Sequence, residues 1–260
     1  MIGAAPGACR TRDLRAILTE SDYFIVLNPD LDATSLAEQY QQDQRLLIGN
    51  LLSPSAARDL LDSVPAVPFE YTFHVNGQNH RASKPEMLAL SAEQRQQLQS
   101  EMHAAAAEGI GFFYASYRVT ESRRAAAADA LLRVHDMLDF LNSDEMLAFV
   151  SRVSGRDDLR SADGQVTAYT PGHYLTRHRD RIDGEERRLA YVLGLTEEWH
   201  PDWGGLLQFY EDDGTPRDAW APRFNSLALF DVRHVHSVTY VTPYAKKPRL
   251  SLTGWFRSTG

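Results

Sequence analysis

The spacing of apolar positions in this chain changes character near Ser161. Before that point apolar residues recur mostly at helical intervals; after it they come in short runs broken by Gly, Pro and Asp. The first half therefore reads as mostly helical. Residues 12–20 form a short amphipathic segment. Residues 46–52 are apolar and lead into Ser53-Pro54, an N-cap and first-turn pair that predicts a helix over 55–64, stopped at Pro65. Ser91 with Gln94 three residues on is a capping-box start, and its helix should run through the alanines to Gly109. Residues 123–141 and 144–153 predict two more helices, the last closed by Gly155. Two stretches of this half, 69–75 and 110–120, are rich in aromatic and β-branched residues and predict strands. Asn76-Gly77 supplies a hairpin turn after the first.

From Ser161 onward the runs at 165–170, 189–195, 206–210, 226–230, 235–241 and 249–256 predict short strands with no helix between them. That series suggests an antiparallel sandwich or barrel. The expectation is a mixed α+β chain forming one domain over 1–260. In it a mostly helical half with two strands, 1–160, supports a β-barrel half, 161–260.

Composition narrows the function classes. The chain has 260 residues, 43% hydrophobic and 24% charged, enough for a sizeable core. A net charge of −8 disfavours non-specific nucleic-acid binding, so no nucleic-acid partner is expected. Cys9 is the single cysteine, which excludes an intrachain disulfide and a Cys-based zinc site. Met1 to Cys9 lacks the basic start and long apolar run of a signal peptide, and no stretch approaches a membrane span, so a cytoplasmic setting without membrane contact is expected. Nothing here sets an oligomeric state.

The histidines carry the candidate chemistry. His178 and Asp180 are two residues apart, so on an extended segment their side chains point the same way and can share a metal ion. His236, on the later strand, offers a third ligand. Two histidines and one carboxylate form the facial set used by non-haem Fe(II) oxygenases, which leaves positions open for a chelating cosubstrate and dioxygen. Thirteen residues after His236 comes Arg249, with Ser251 on the same face of the same strand, and both are candidate cosubstrate-binding residues. An inward guanidinium fork suits a dicarboxylate cosubstrate. His200-Pro-Asp202 repeats the pattern but lies in a Trp- and Pro-rich loop, about two strands before His236 rather than about four, and reads as a loop or rim feature. His234 rivals His236 and reads as its neighbour or a satisfied core histidine. His135 reads as a helix-face residue; His74, His80 and His103 join no constellation; His173 and Tyr174 read as entrance residues or as loop residues without a role. Arg177, Arg179, Arg181, Arg187 and Arg188 read as a solvated face balanced by Glu185 and Glu186, with recognition of an acidic substrate group as the alternative.

Four blocks resemble the prolyl-hydroxylase-like Fe(II)/2-oxoglutarate-dependent dioxygenases. They are Tyr169 to Asp180, Trp203-Gly-Gly-Leu-Leu-Gln-Phe209, Asn225 to Asp231 followed by His236-Ser-Val, and Arg249-Leu-Ser-Leu-Thr-Gly-Trp255-Phe. The resemblance covers roughly residues 160–257 and is weaker over the helical half. It implies a double-stranded β-helix, or jelly-roll, and a requirement for Fe(II), 2-oxoglutarate and O2. Carried over by position, it implies His178, Asp180 and His236 as metal ligands, Arg249 and Tyr169 on the distal carboxylate of 2-oxoglutarate, and Trp255 lining the pocket. Some relatives have a second tyrosine where this chain has Gly194; Tyr191, three residues earlier, should face the other side. The family points to hydroxylation of a prolyl residue in a protein or peptide. A free amino acid or other small metabolite is the alternative substrate. A non-catalytic metal- or sugar-binding jelly-roll and a zinc or nickel cupin isomerase are the competing classes, and they fit the arginine or the ligand set less well.

Overall fold

A computed structural model describes residues 25–122, 128–182, 184 and 186–259. The amphipathic segment predicted at 12–20 and the start of the helix predicted over 123–141 lie outside them. The predicted caps form as expected. Ser53 accepts from Ala56 N–H at the start of α2 (Pro54–Ser63). Ser91 and Gln94 make the reciprocal capping box of α4 (Ala92–Ala107). Gly155 ends α6 (Asp144–Ser154) in the left-handed conformation at φ 74°. Residues 129–131 are a 3-10 turn before α5 (Leu132–Leu141), so the predicted long helix is shorter than its pattern.

Two helices lacked a clear apolar stripe and went unpredicted. In α1 (Ala33–Asp43) only Tyr40 is buried, and the helix is held by its Asp32 cap on Thr34 and Ser35. The short α3 (Lys84–Ala89) is a capping-box turn with no buried residue.

The first half contributes four strands where the pattern predicts two. β2 (Glu70–Val75) and β3 (Gln78–Ser83) form the hairpin over Asn76-Gly77, with φ of 52° and 72° at the turn, and β4 (Phe112–Arg118) pairs with β2. The fourth is β1 (Arg45–Gly49), inside the apolar run that looked like part of a helical half. Leu46 and Ile48 join the helix-side core while Leu47 packs on the opposite side. A strand buried on both faces shows a continuous apolar run rather than alternation.

The second half supplies β5 (Ser161–Ala162), β6 (Gln165–Tyr169), β7 (Tyr174–His178), β8 (Arg187–Gly194), β9 (Leu207–Tyr210), β10 (Pro216–Trp220), β11 (Ser226–Asp231), β12 (Val235–Val238) and β13 (Arg249–Arg257). All six predicted strands are present; β5, β7 and β10 were not predicted. The main path runs β1-β11-β8-β13-β6-β4-β7-β12-β9-β10, with every pairing antiparallel. The sheet curls so that β7, β12 and β9 face β8, β11 and β13. Rings from the two layers meet, Phe209 to Phe230 at 5.3 Å and Phe230 to His236 at 4.8 Å. This is the mixed helix-and-sheet, double-stranded β-helix architecture expected from the sequence.

The helices cover the outer face of the larger layer. Leu189, Leu193, Leu229, Leu252 and Phe256 meet Leu60, Met137, Leu141, Met146 and Val150 in one continuous core. Each such side chain contributes roughly 1.5–3 kcal/mol by its removal from water. Asn225 ties the first half to the barrel, its amide exchanging hydrogen bonds with the Leu52 backbone at 2.9 and 2.8 Å. Among the described residues no helix is long and apolar enough to cross a membrane.

Candidate metal centre

His178 ends β7 and His236 lies on β12, directly opposite it across the antiparallel pair. Four strands, β8 to β11, intervene in sequence, so only the curled sheet brings these residues side by side. Asp180, two residues beyond His178, closes the group. Its carboxylate oxygens lie 3.5 Å from His178 Nε2 and 3.4 Å from His236 Nε2. The three ligand atoms fall within 4.8 Å of one another, and among the described residues this is the only such group of three.

Hydrogen bonds set the tautomer of both imidazoles. His178 Nδ1–H donates to the Thr176 carbonyl at 3.0 Å, and His236 Nδ1–H donates to the His234 carbonyl at 3.1 Å. A carbonyl can only accept, so each ring keeps its Nε2 lone pair for the shared centre. His234 is fixed in turn by its own Nε2, bonded to the Asp43 carbonyl at 2.8 Å. It is thus the satisfied neighbour of His236. Burial alone would raise the Asp180 carboxyl, but the His236 and His178 imidazoles bring it down to about 2. Burial and the neighbouring His178 push His236 down to about 4. For His178 burial is outweighed by Asp180 and the Thr176 carbonyl, and its pKa rises. The donor set, one carboxylate held ionised between two imidazoles, fits a divalent transition metal.

A cavity of about 470 Å³ opens over this group. Its far wall holds Arg249 and Tyr169, opposite one another in the β13–β6 register. Arg249 is 3% exposed, and its guanidinium carbon lies 5.1 Å from the centroid of the Tyr169 ring. Its Nε is buried without a hydrogen-bond partner, and among the described residues no carboxylate lies within ion-pair distance of it. Burial pushes the guanidinium below its usual range and raises the Tyr169 phenol. A buried cation without a partner is expensive, so a site of this kind is built to receive an anion.

Trp255 also lines the cavity, with the Arg187 guanidinium stacked 3.6 Å from its ring centroid. Ser251 sits elsewhere. It shares the face of Arg249 but does not line the cavity, and its hydroxyl pairs with Thr167 Oγ1 at 2.9 Å. Ser251 thus lies beside Thr167, which forms part of the wall.

Gly194 and Tyr191 behave as their spacing implies. A Cβ at Gly194 would lie 2.0 Å from the Arg223 carbonyl oxygen, so no tyrosine fits there. Tyr191 points away into the helix-side core and donates to the Asp163 carbonyl at 2.8 Å. His200 and Asp202 are exposed on a 3-10 turn, separate from the triad. Of the arginines, Arg188 pairs with Asp158 and Glu186, and Arg179 with Asp212. Glu185 lies outside the described residues. His173 is buried behind Tyr169, bonded to the Ala168 carbonyl at 3.2 Å, and is a packing residue rather than an entrance residue.

Tyr114, on β4, was missed. It is stacked 5.1 Å from Tyr169 and lines the same cavity. No local signal could have found it, because it reaches the site only through the pairing of β4 with β6. Thr167 was within reach of sequence reasoning, since it alternates with Tyr169 on a predicted strand.

Residues 164–257 match the family described as the 2OG-Fe(II) oxygenase superfamily. The chain is 33% identical over 120 residues to a mouse protein named prolyl 3-hydroxylase OGFOD1, a match covering 44% of this chain and 22% of that protein. The same-named protein of Xenopus laevis is 32% identical over 120 residues, 44% of this chain and 23% of the relative. The match thus spans under a quarter of the length of these relatives. A Pseudomonas putida prolyl-4-hydroxylase has a similar fold, with TM-score 0.54 and 20% identity, covering 88% of this chain and 100% of the other. So does a Trichoplax adhaerens prolyl hydroxylase solved with a hypoxia-inducible-factor peptide fragment, with TM-score 0.57 and 18% identity over 87% of this chain and 89% of that one. Residues 164–257 thus match the 2OG-Fe(II) oxygenase superfamily, and the chain shares the fold of solved prolyl hydroxylases.

Proposed function

We propose that this chain is an Fe(II)- and 2-oxoglutarate-dependent dioxygenase that hydroxylates an unactivated C–H bond, its substrate a prolyl residue of a protein or peptide. The observation that carries the reading is the buried, unpaired Arg249 in the same cavity as the His178, Asp180 and His236 group. In this reading those three residues hold Fe(II), and Arg249 with Tyr169 holds the distal carboxylate of 2-oxoglutarate. When bound, Fe(II), 2-oxoglutarate and O2 supply the oxidising chemistry, with succinate, CO2 and an alcohol as products.

The chain's own residues bind, orient and exclude. The Thr176 and His234 carbonyls keep both imidazoles in the ligating tautomer. The Arg249 fork offers two parallel N–H donors to a carboxylate, which fixes the far end of a dicarboxylate in one direction. Ser251 and Thr167 brace that wall by pairing with each other. Trp255 forms another wall, and Leu207, Phe230 and Val238 supply apolar lining that keeps water out. The prolyl substrate is supported by the relatives, which are named as prolyl hydroxylases. The single cysteine asks for no oxidising compartment, which supports a cytoplasmic setting.

The test is spectroscopic first. Fe(II) and 2-oxoglutarate added without oxygen should produce a weak visible charge-transfer band. Admitting O2 with a proline-containing peptide should then release succinate in step with hydroxylated peptide. Absence of the band in the wild-type protein overturns the metal and cosubstrate assignment. A normal band with turnover of free L-proline but not of peptides would replace the polypeptide by a small metabolite.

A further inference from the structure

We infer, resting on the function just proposed, that the substrate crosses an outer cleft as an extended polypeptide and sets an acidic side chain against Arg177. The cleft has a volume of about 1050 Å³ and runs along β7, β12 and the C-terminal end of α4. It meets the inner cavity at the metal centre: Leu175, His178, Arg179 and Val238 line both.

Size separates the two spaces. The inner cavity, about 470 Å³, is of the order that encloses one small ligand. It suits a five-carbon dicarboxylate and one target side chain, and a polypeptide must continue outside it. A small metabolite would be enclosed there and would have no use for the cleft.

The cleft's lining is that of a peptide surface. Tyr174 and the half-exposed Tyr240 stack at 6.0 Å, and Tyr210 bonds its hydroxyl to Ser237 at 2.9 Å. Such rings offer wide, rigid contact area with a polar tip, and tyrosine is enriched where proteins grip other chains. His103 adds a further ring from α4.

The charges give the polarity of the partner. Arg179 is matched by Asp212 at 2.7 Å. Arg177 lies over the Tyr210 ring, 5.6 Å from its centroid, and no ion pair joins it to a carboxylate among the described residues. In a chain of net charge −8 the cleft's uncompensated group is therefore a guanidinium. A carboxylate on the substrate would give it a charge-assisted, two-pronged partner.

Three short fluorescein-labelled peptides test this, each with one central proline and flanked by Glu, by Gln or by Lys. Their binding to the full chain is followed by fluorescence anisotropy with 2-oxoglutarate omitted, so that no turnover is needed. The Glu peptide should bind roughly tenfold tighter than the Gln peptide. The Lys peptide should bind weakest. Arg177→Glu should reverse that order, and Tyr240→Ala should weaken all three alike. Hydrogen exchange should slow over 174–179 and 235–240 on binding, and Arg177→Gln should keep the unbound exchange pattern of the wild type as a check on folding. Equal affinity for the Glu and Lys peptides, an order unchanged by Arg177→Glu, or protection confined to other segments would each overturn the inference. Failure here with an intact charge-transfer band and succinate release removes only the cleft; loss of the band removes the function beneath it.

Discussion

Strands β6, β8 and β13 have two faces that are chemically opposite. Toward the helices they present Val166, Leu189, Leu193, Leu252 and Phe256, none more than 1% exposed. Toward the barrel interior the same strands present Thr167, Tyr169, Arg249 and Trp255, with Arg249 only 3% exposed. What sets Arg249 apart from the equally buried helix-side residues is satisfaction. On the helix side every buried group is apolar or, like the Tyr191 hydroxyl, bonded. On the barrel side a guanidinium is buried without its counter-charge. One face gains stability from burial, and the other holds stability in reserve for a ligand.

Breaking the two faces should give opposite signatures. The largest effect is expected at the metal centre. Asp180→Ala and His236→Ala should abolish the charge-transfer band and cut succinate release at least about 100-fold, more than the loss of a supporting hydrogen bond would. Their circular dichroism should stay that of the wild type. A band that survives either change would refute the ligand assignment.

On the helix face, Phe256→Ala should lower unfolding free energy by about 3–5 kcal/mol through cavity formation. At temperatures where the variant is folded, its half-saturating 2-oxoglutarate concentration should be unchanged. Arg249→Leu should do the reverse. A lost buried carboxylate pair of about 3 kcal/mol corresponds to roughly a 100-fold rise in that concentration. Yet its thermal midpoint should hold or rise, because a buried cation without a partner has been removed. A midpoint that falls steeply would mean that the arginine is a structural group.

The smallest effect concerns His173, behind the Tyr169 wall. Burial pushes its pKa down to about 4. The folded state then binds fewer protons than the unfolded state between pH about 6.5 and about 4, so stability falls as pH drops through that window. The loss should be on the order of 2 kcal/mol. Urea titrations at the two ends of the window should show it in the wild type and show less of it in His173→Gln.

Much of this is legible in the sequence alone. The capping boxes at Ser91 and the Pro54 start rest on contacts three residues apart, and both form. The His178 and Asp180 spacing and the alternation of Arg249 with Ser251 are likewise local. Alternation reports the face of a strand and not depth along a cavity wall, so it does not show that Thr167 stands between the cavity and Ser251. Residues 46–52 were drawn toward the helical half because a strand buried on both sides shows no period of two. α1 was overlooked because a helix that buries only Tyr40 has little apolar stripe to detect.

By itself, then, the sequence determined the short-range features: the caps, the strand runs of the second half, the spacing of His178 and Asp180, and the order of that pair, His236 and Arg249. Tertiary structure alone decided which residues meet. It set His236 opposite His178 across four intervening strands and stacked Tyr114 from the first half on Tyr169. It also left Arg249 buried without a partner and opened a second cleft beside Arg177. The physical reason is range. Propensity, capping and alternation act over a few residues, whereas strand pairing and the curl of the sheet join positions tens of residues apart.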